Sequence, residues 1–275
     1  KLIIIYPAMP SGFEHVYKEV EKFKTGAYCA SSVKEEINTP FHSHDKGQFI
    51  YTVKGTLHID TKKNHYFLPV EHFIWVPKNV PHRMWTNNSS FRMFTIYFDS
   101  SDEQSEFYTN TGVYIVNDLM HQMIAFARQW DGHIGECDFA AYKFLQGFKA
   151  VLPQVTKAGS LPLLAFVRPH NERLLDVMEY MRLNMEHKPD LNHTAQKFGF
   201  SERSLSRLFK SEGISFIEYL QAVRVMRSME LLAEKKLNVN MVGLKVGYES
   251  LTAFSNIFMR FTGVRPTDYI KNLKI

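Results

Sequence analysis

Hydrophobic residues in the last third of the chain follow the same helical pattern twice. The two blocks are residues 195–220 (AQKFGFSERSLSRLFKSEGISFIEYL) and residues 243–270 (GLKVGYESLTAFSNIFMRFTGVRPTDYI). Each block predicts a short helix, a turn at a glycine and a second helix with apolar residues every three or four positions. The turn glycines, Gly199 and Gly247, are 48 residues apart. A pattern that recurs only once indicates a tandem pair of helix-turn-helix units and not a solenoid.

Capping residues stand where the helices of both units should begin. Asp190 and Ser201 precede the two helices of the first unit, and Asn238 and Ser250 precede those of the second. Side-chain oxygens of these residue types accept hydrogen bonds from the free N–H groups of a first helical turn. One long helix, predicted over 219–235, links the two units.

The second helix of each unit has a polar side that lies outside its apolar stripe. A recognition helix presents its amino-terminal residues to base edges in the major groove of DNA. Arg203 and Arg207 can each bind a guanine through two hydrogen bonds, which discriminates between bases by about 1–3 kcal/mol. The predicted DNA contacts are Glu202, Arg203, Ser206, Arg207, Lys210, Glu249, Ser250, Leu251, Thr252, Ser255, Asn256 and Arg260. Arg224 and Arg227, on the linking helix, are expected on a solvated face.

The first half of the chain alternates apolar and polar residues with a strand period. Runs at 47–59, 65–77 and 91–98 are rich in β-branched and aromatic residues, and Gly55 marks a predicted hairpin turn in the first run. Several short strands without intervening helices are typical of an antiparallel barrel or jelly roll.

Two amphipathic helices are predicted after these strands, at 116–130 and 138–155, with a turn at 131–135 between them. Pro153 is expected to close the second helix. The predicted inward residues are Leu119, Met123, Ala127 and Trp130, followed by Phe139, Tyr142, Leu145, Phe148 and Leu152. Such a helical pair must bury its apolar stripe, either on the barrel or against a second chain. We therefore predict a homodimer that associates through helices around 117–156.

Length and charge agree with two domains. We predict an α+β chain with a barrel domain and its helical pair at 1–160, a linker at 161–170 and an all-α domain at 171–275. Basic residues exceed acidic ones by one before residue 171 and by four after it, so the basic excess lies on the helical half. Two cysteines, no signal peptide and no apolar run of about 20 residues indicate a cytoplasmic protein outside the membrane.

The barrel half also carries a set of histidines. His42 and His44 are two residues apart and would share one face of a strand, and Gln48 can reach the same face. With His82, they offer three imidazoles and an amide oxygen, a set that suits Zn, Ni, Fe or Cu. The same residues could instead line a small-molecule pocket without a metal. The histidines at 58, 65 and 72 are expected at the surface or in packing.

These histidines lie in stretches that resemble the two cupin motifs. HSHDKGQ, followed by Gly55, resembles the first motif with Gln48 where glutamate is usual, and VEHFIWVPKNVPHRMW resembles the second. Glu71 and Asn79 stand where cupins usually have glycine. The resemblance implies that His42, His44, Gln48 and His82 converge inside the barrel and hold one divalent metal.

The second repeat, GYESLTAFSNIFMRFTGVRPTDY, resembles the carboxyl-terminal signature of the AraC/XylS family of transcription regulators. This resemblance covers the last ~100 residues. It implies sequence-specific binding of double-stranded DNA, control by a small molecule or metal ion held in the barrel, activation of transcription and contact with RNA polymerase. Asn256 and Met259 depart from the family pattern, in which arginine and lysine are common. The first unit is also one residue shorter between Phe209 and Gly213, so its recognition helix is expected to end early.

Two other hypotheses fit part of the chain. One is a metal-dependent cupin enzyme, a dioxygenase or isomerase, with an appended helical domain. It is disfavoured because the pocket motif lacks its carboxylate and because the tandem units would have no role, so we expect no catalytic residues. The other is a metal-sensing regulator, in which the ion itself is the effector.

Overall fold

The computed structural model describes residues 11–33, 37–86, 91–100, 103–156, 165–167, 169 and 171–272. The chain forms two compact units, Lys1–Ala165 and Phe166–Ile275. Most of the predicted linker, 161–170, lies outside the described residues. Within the described part, no helix has the length and apolar character needed to cross a membrane.

The described part of the first unit contains three helices and nine strands, and a tenth strand lies across its boundary. The helices are α1 (Ser11–Lys22), α2 (Asp118–Ala127) and α3 (Phe139–Val155). The strands are β1 (Ala27–Val33), β2 (Gly47–Lys54), β3 (Thr56–Thr61), β4 (Asn64–Pro69), β5 (His72–Val76), β6 (His82–Trp85), β7 (Arg92–Phe98), β8 (Gly112–Ile115), β9 (Gly132–Ile134) and β10 (Ala165–Val167), in which the unit boundary falls. A 3₁₀ turn covers Glu106–Thr109.

The strands form two sheets, as expected for an antiparallel barrel or jelly roll. One sheet has the order β8-β5-β2-β7-β1-β9, and the other has the order β10-β4-β3-β6. The predicted hairpin at Gly55 is wrong, because β2 pairs with β5 and β7 whereas β3 pairs with β4 and β6. Gly55, with φ +79°, instead lets the chain cross from one sheet to the other. The predicted turn at 131–135 contains β9, which pairs with β1.

The helical pair packs on one face of the six-stranded sheet. Phe49 of β2 meets Phe148 of α3 with ring centroids 5.1 Å apart, and both rings are fully buried. Asn117 caps α2, because its side chain accepts a hydrogen bond from the N–H of Met120. The buried residues of α2 are Met120, Ile124 and Ala127. Of the predicted stripe, Ala127 is therefore confirmed, and Met123 and Trp130 pack against the core while partly buried.

Three large apolar side chains on these helices remain exposed: Leu119, Phe126 and Phe139. Leu119 and Phe139 were both expected to face inward, so that part of the prediction is wrong. Phe139 is the first residue of α3 and lies before the turn at which Ala141 and Leu145 meet the core. The helix also runs two residues beyond Pro153, because a proline near the end of a helix removes only one hydrogen bond of the last turns.

Seven α-helices form the described part of the second unit. They are α4 (Glu172–Leu183), α5 (Leu191–Lys197), α6 (Glu202–Ser211), α7 (Phe216–Ala233), α8 (Val239–Lys245), α9 (Leu251–Thr262) and α10 (Pro266–Asn272). Side chains of Asn171, Asp190, Ser201, Ser215, Asn238 and Ser250 cap α4 to α9 in turn. These caps satisfy N–H groups that a helix start leaves free, and four of them are the ones that the sequence predicts.

Helix α7 forms the centre of this unit. Its buried residues extend over almost its whole length, from Phe216 to Leu232. Arg224 was expected on a solvated face, but it is 8% exposed and donates hydrogen bonds from Nε and Nη2 to the carbonyl oxygen of Met185, at 3.0 and 2.8 Å. The arginine therefore joins α7 to the end of α4, since a buried guanidinium needs such partners.

Candidate functional site

The first helix-turn-helix unit consists of α5 and α6. Gly199 has φ +68°, a value that glycine adopts without strain, and Ser201 accepts a hydrogen bond from the N–H of Ser204. Leu205 and Phe209 are fully buried and hold the inner side of α6 on the unit. The outer side therefore carries the residues predicted to contact DNA. Of these, Glu202, Arg203, Arg207 and Lys210 are exposed and Ser206 is half-buried.

The second unit, α8 and α9, repeats this arrangement. Gly247 has φ +90°, Ser250 caps α9, and Phe254 and Phe258 are fully buried. Gly243 lies against Phe254 so closely that an added Cβ would be 3.1 Å from the ring. The predicted contacts Glu249, Ser250, Leu251, Thr252, Asn256 and Arg260 are exposed, and Ser255 is half-buried.

The two recognition helices differ in length and in charge. Helix α6 has 10 residues and α9 has 12, which confirms that the first one ends earlier. The outer side of α6 offers three cationic side chains, whereas Arg260 is the cation of α9 and donates to Gln221 Oε1 at 2.5 Å. Glu249 forms an ion pair with Lys188, and Glu202 accepts from Asn192 Nδ2 at 2.5 Å.

An arginine at each glycine turn is a feature that the sequence did not reveal. Arg173 donates to the carbonyl oxygen of Phe198 at 2.8 Å and stacks on Phe200, with its guanidinium carbon 4.1 Å from the ring centre. Arg224 takes the corresponding place over Tyr248, at 5.3 Å. Both contacts join residues far apart in the chain, and their one sequence signal is the aromatic residue that follows each turn glycine.

The histidine cluster lies in the first unit, between the two sheets. His42 and His82 exchange backbone hydrogen bonds of 2.9 Å, and their ring centroids are 4.4 Å apart. The ring of His44 lies 5.3 Å from that of His82. The three imidazoles are brought together by this bridge and not, as expected, by a regular strand that contains His42 and His44. Within the described residues, one nitrogen from each ring lies within 4.8 Å of the others.

Backbone carbonyls determine which nitrogen of each ring carries the proton. The Nδ1 atoms lie 2.8–3.0 Å from carbonyl oxygens two residues away: Pro40 for His42, Lys46 for His44 and Val80 for His82. A carbonyl oxygen only accepts, so each Nδ1 donates a proton. In a neutral ring, Nε2 then keeps its lone pair, as a metal-binding imidazole requires.

The amide of Gln48 is oriented by a similar chain of hydrogen bonds. Thr95 Oγ1 donates to the carbonyl oxygen of Phe49 at 2.9 Å and accepts from Gln48 Nε2 at 3.1 Å. Gln48 Oε1 consequently faces the Nε2 atoms of His44 and His82, at 3.2 Å from each. While the rings are neutral, Nε2 of His44, Nε2 of His82 and Oε1 of Gln48 are therefore all acceptors, and no proton lies between them.

Burial keeps the rings neutral. Desolvation lowers the pKa of His44 to about 4, with a smaller contribution from His42, and it holds the pKa of His82 well below the usual value for histidine. It also lowers the pKa of His42, which is half-buried. Convergent neutral imidazoles and one amide oxygen fit a divalent transition metal, although the missing carboxylate leaves its charge less well compensated.

Two residues that depart from the cupin pattern adopt the backbone conformation that glycine usually provides. Glu71 has φ +63° and Asn79 has φ +60°. Asn79 donates its N–H to the carbonyl oxygen of His44 at 2.7 Å, so this turn supports the cluster. The substitutions therefore retain the turns of the motif and place longer side chains on them.

His58, His65 and His72 lie outside the cluster, as expected. His58 stacks on Trp85 at 3.8 Å, and His72 is buried with Nδ1 2.8 Å from the carbonyl oxygen of Val70. His65 Nδ1 lies 2.6 Å from Asp60 Oδ1, and Arg83 Nε donates to the other oxygen of Asp60 at 2.6 Å. Although burial alone would raise the pKa of Asp60, these partners hold it below the usual range.

Comparisons with known proteins find matches to both halves of the chain. A family model described as a helix-turn-helix domain matches residues 194–272, and one described as an AraC-like ligand binding domain matches residues 26–109. The chain is 25% identical to the HTH-type transcriptional regulator NimR of Escherichia coli (strain K12) over 249 residues, which are 90% of this chain and 88% of NimR. It is 32% identical to the transcriptional activator RhaR of Cronobacter sakazakii over 78 residues, 28% of each chain.

Among solved structures, ToxT from Vibrio cholerae aligns with 91% of this chain and 100% of its own, at 14% identity and a TM-score of 0.39. The two matched domains and the helix-turn-helix geometry define a DNA-binding transcription regulator with a ligand-binding domain. The chain belongs to the AraC/XylS family of transcription regulators.

Proposed function

We propose that this regulator activates transcription from sites that it recognises mainly through its first helix-turn-helix unit, in response to an effector bound by the first unit of the chain. The cationic outer side of α6 is the observation that supports this assignment. The second recognition helix would bind mainly to phosphates, and such contacts position a protein on DNA without specifying sequence. Such a protein acts where the chromosome lies, in the cytoplasm.

Selection of duplexes from random sequence, followed by genomic mapping, would identify the operator. Affinity for the selected duplex should fall steeply with salt, since each neutralised phosphate releases counterions. Transcription in vitro with purified RNA polymerase then tests activation. A selected site that lowers transcript yield when bound would contradict activation, and absence of any selected sequence would contradict specific recognition.

We further propose a divalent metal ion as one effector, held by Nε2 of the three clustered histidines and Oε1 of Gln48. The convergence of acceptor atoms supports this, because a cation relieves their mutual repulsion. The positive ion would join residues of both sheets. The hydrogen bonds of the Nδ1 atoms would hold each histidine ring with Nε2 directed at the ion. Bound as an effector and not as a catalyst, it implies no enzymatic activity.

Elemental analysis of untagged protein tests this proposal. Zn, Ni or Fe near one equivalent is expected, and Gln48→Glu should strengthen retention by adding a carboxylate. His72→Ala is the matched control and should leave metal retention unchanged, because His72 is buried in the same unit but outside the cluster. Metal-free protein that takes up no Zn, Ni or Fe on addition would refute the metal site. Unchanged operator affinity after metal uptake would refute the effector role alone.

A homodimer through α2 and α3 is our proposal for the assembly. Phe126 is 54% exposed and packs on Phe144 of α3 at 4.8 Å, so the two helices share an apolar outer surface there. Leu119 of α2 and Phe139 of α3 are exposed as well. Sedimentation equilibrium should show a dimer that Phe126→Asp dissociates, whereas Gln122→Asp, at another exposed position of α2, should not. A monomeric wild-type protein would overturn this arrangement.

A further inference from the structure

The face of the six-stranded sheet opposite the histidines carries a pocket of about 350 Å³. It lies between α3, the ends of β1 and β7, and the 3₁₀ turn at Glu106–Thr109. Tyr97 of β7 packs on His44 at 5.1 Å, whereas its neighbour Phe98 lines the pocket. Adjacent residues of a strand point to opposite faces, so the pocket and the cluster are separate sites. Its volume falls within the range of about 300–1,000 Å³ typical of small-molecule sites.

The pocket has an apolar side that is held in place. Ala27, Phe98, Leu145 and the ring of Tyr108 line it. The hydroxyl of Tyr108 donates to the carbonyl oxygen of Lys149 at 2.7 Å, and its own carbonyl oxygen accepts from the indole N–H of Trp75 at 3.2 Å. A preformed wall of this kind favours a rigid, flat molecule such as an aromatic ring, which loses little conformational entropy on binding.

The charged groups at the pocket already compensate one another. Lys149 Nζ donates to the carbonyl oxygen of Asp99 at 2.6 Å and lies 3.5 Å from Glu103 Oε1. Lys78 lies 3.5 Å from the other oxygen of Glu103, and the carboxylate of Asp99 accepts from the N–H of Gly26 at 2.5 Å. A charged ligand would add an uncompensated charge beside these pairs, so a neutral one is favoured.

Gly147 leaves the pocket open on the α3 side. It lies in the middle of α3 and lines the pocket, yet a Cβ built at this position meets no described atom within 4 Å. Its φ is not among the positive values of the described glycines, so the backbone does not require glycine there. Glycine is unfavourable inside a helix. The missing side chain therefore leaves the pocket accessible to a ligand from the side of α3.

We propose that this pocket is a second ligand site of the first unit, for a small neutral aromatic molecule with one hydrogen-bonding group, such as a phenol or an indole. Its role as an effector site rests on the regulatory function proposed above, whereas binding of the ligand does not. The Lys149 and Tyr142 side chains at the pocket provide the polar partners.

Titration calorimetry of the full-length protein with p-cresol and indole tests the site, with phenylacetate as the anionic comparison. Gly147→Leu and, independently, Ala150→Leu should weaken p-cresol binding by about tenfold or more by filling the pocket. Ala140→Leu adds the same side chain at an exposed position of α3, two turns earlier and outside the pocket, and should bind normally. Thermal melts confirm that each variant is folded.

Three results would overturn the site: no binding of p-cresol or indole at millimolar concentration, equal binding by all variants, or a preference for phenylacetate. Operator affinity is measured separately with and without p-cresol. Binding of p-cresol without a change in operator affinity removes the effector role and leaves the site. A protein that binds p-cresol but selects no operator would instead refute the proposed function.

Discussion

The two helix-turn-helix units share a scaffold and differ in the surface they offer to DNA. In both, a side chain caps each helix, a glycine with positive φ makes the turn, and an arginine stacks on the following aromatic residue. The outer side of α6 carries three cations, whereas α9 is longer and carries Arg260. Scaffold and recognition surface therefore vary independently, and our proposal of one base-reading unit and one phosphate-binding unit rests on this difference.

The scaffolds themselves are not equally tight. In the second unit, Arg224 is buried and an added Cβ on Gly247 would approach its Nη2 to 2.8 Å and the carbonyl oxygen of Met185 to 2.9 Å. In the first unit, Arg173 is exposed, and a Cβ on Gly199 would be 3.7 Å from it. The unit with fewer cations for DNA has the more closely packed turn.

The largest expected effect is at the turn glycines. Gly247→Ala should lower the free energy of unfolding by about 2–4 kcal/mol, because the positive φ and the crowding by Arg224 and Met185 add together. Gly199→Ala should cost about 1–2 kcal/mol, from the backbone conformation alone. Urea unfolding followed by circular dichroism measures both. Equal losses would contradict the difference in packing.

Removal of the arginines at the turns should also lower the free energy of unfolding more in the second unit than in the first, but by less than the glycine substitutions do. Arg224→Ala leaves the carbonyl oxygen of Met185 without its two donors and should cost about 1–3 kcal/mol of stability. Arg173→Ala removes a contact at the surface and should cost less than about 1 kcal/mol. Arg227→Ala, one turn along α7, is the control for a half-buried arginine whose partner is the side chain of Glu230. A larger loss from Arg173→Ala than from Arg224→Ala would reverse the comparison.

The recognition helices are compared by Arg207→Ala and Arg260→Ala, with affinity measured by fluorescence anisotropy on the selected operator. Arg207→Ala should lose about 1–3 kcal/mol and relax specificity at one base pair. Arg260→Ala should weaken binding to all sequences alike and reduce the salt slope by about one phosphate contact. If Arg207→Ala gives an unchanged footprint and unchanged base preference, α6 is not the reader.

The helix caps should show the smallest effect and no difference between the units. Asp190→Ala and Asn238→Ala each remove one cap hydrogen bond, to His193 N and Met241 N, and should each cost about 1 kcal/mol. Thermal denaturation of both variants measures this. A clear inequality would show that the two scaffolds differ at their helix starts as well as at their turns.

Local chemistry made much of this fold predictable. Caps, turn glycines and the early end of α6 depend on neighbouring residues, and the sequence displays them directly. The buried role of Arg224 depends on Met185, 39 residues away, and a charged residue in an amphipathic helix gives no sign of such a partner. The sheet crossing at Gly55 was missed for the same reason, since a glycine between two strands fits a hairpin equally well until the pairing partners are known.

The histidine cluster was likewise predictable only in part. Which residues converge follows from the resemblance of two motifs to those of cupins, and the structure brings His42, His44, Gln48 and His82 together. The protonation pattern could not be predicted, because it depends on backbone carbonyls and on the contact between Gln48 and Thr95, which join separate strands. Occupancy of the cluster by a metal stays a proposal.

The capped starts of α4 to α9 have a consequence for acidification. Five of the six capping side chains belong to serine or asparagine, and Asp190 is the one that can ionise. Neutral hydroxyl and amide oxygens accept the same hydrogen bonds at any pH at which the unit is folded. Both recognition helices, which begin at Ser201 and Ser250, therefore keep their starting points as protons are added.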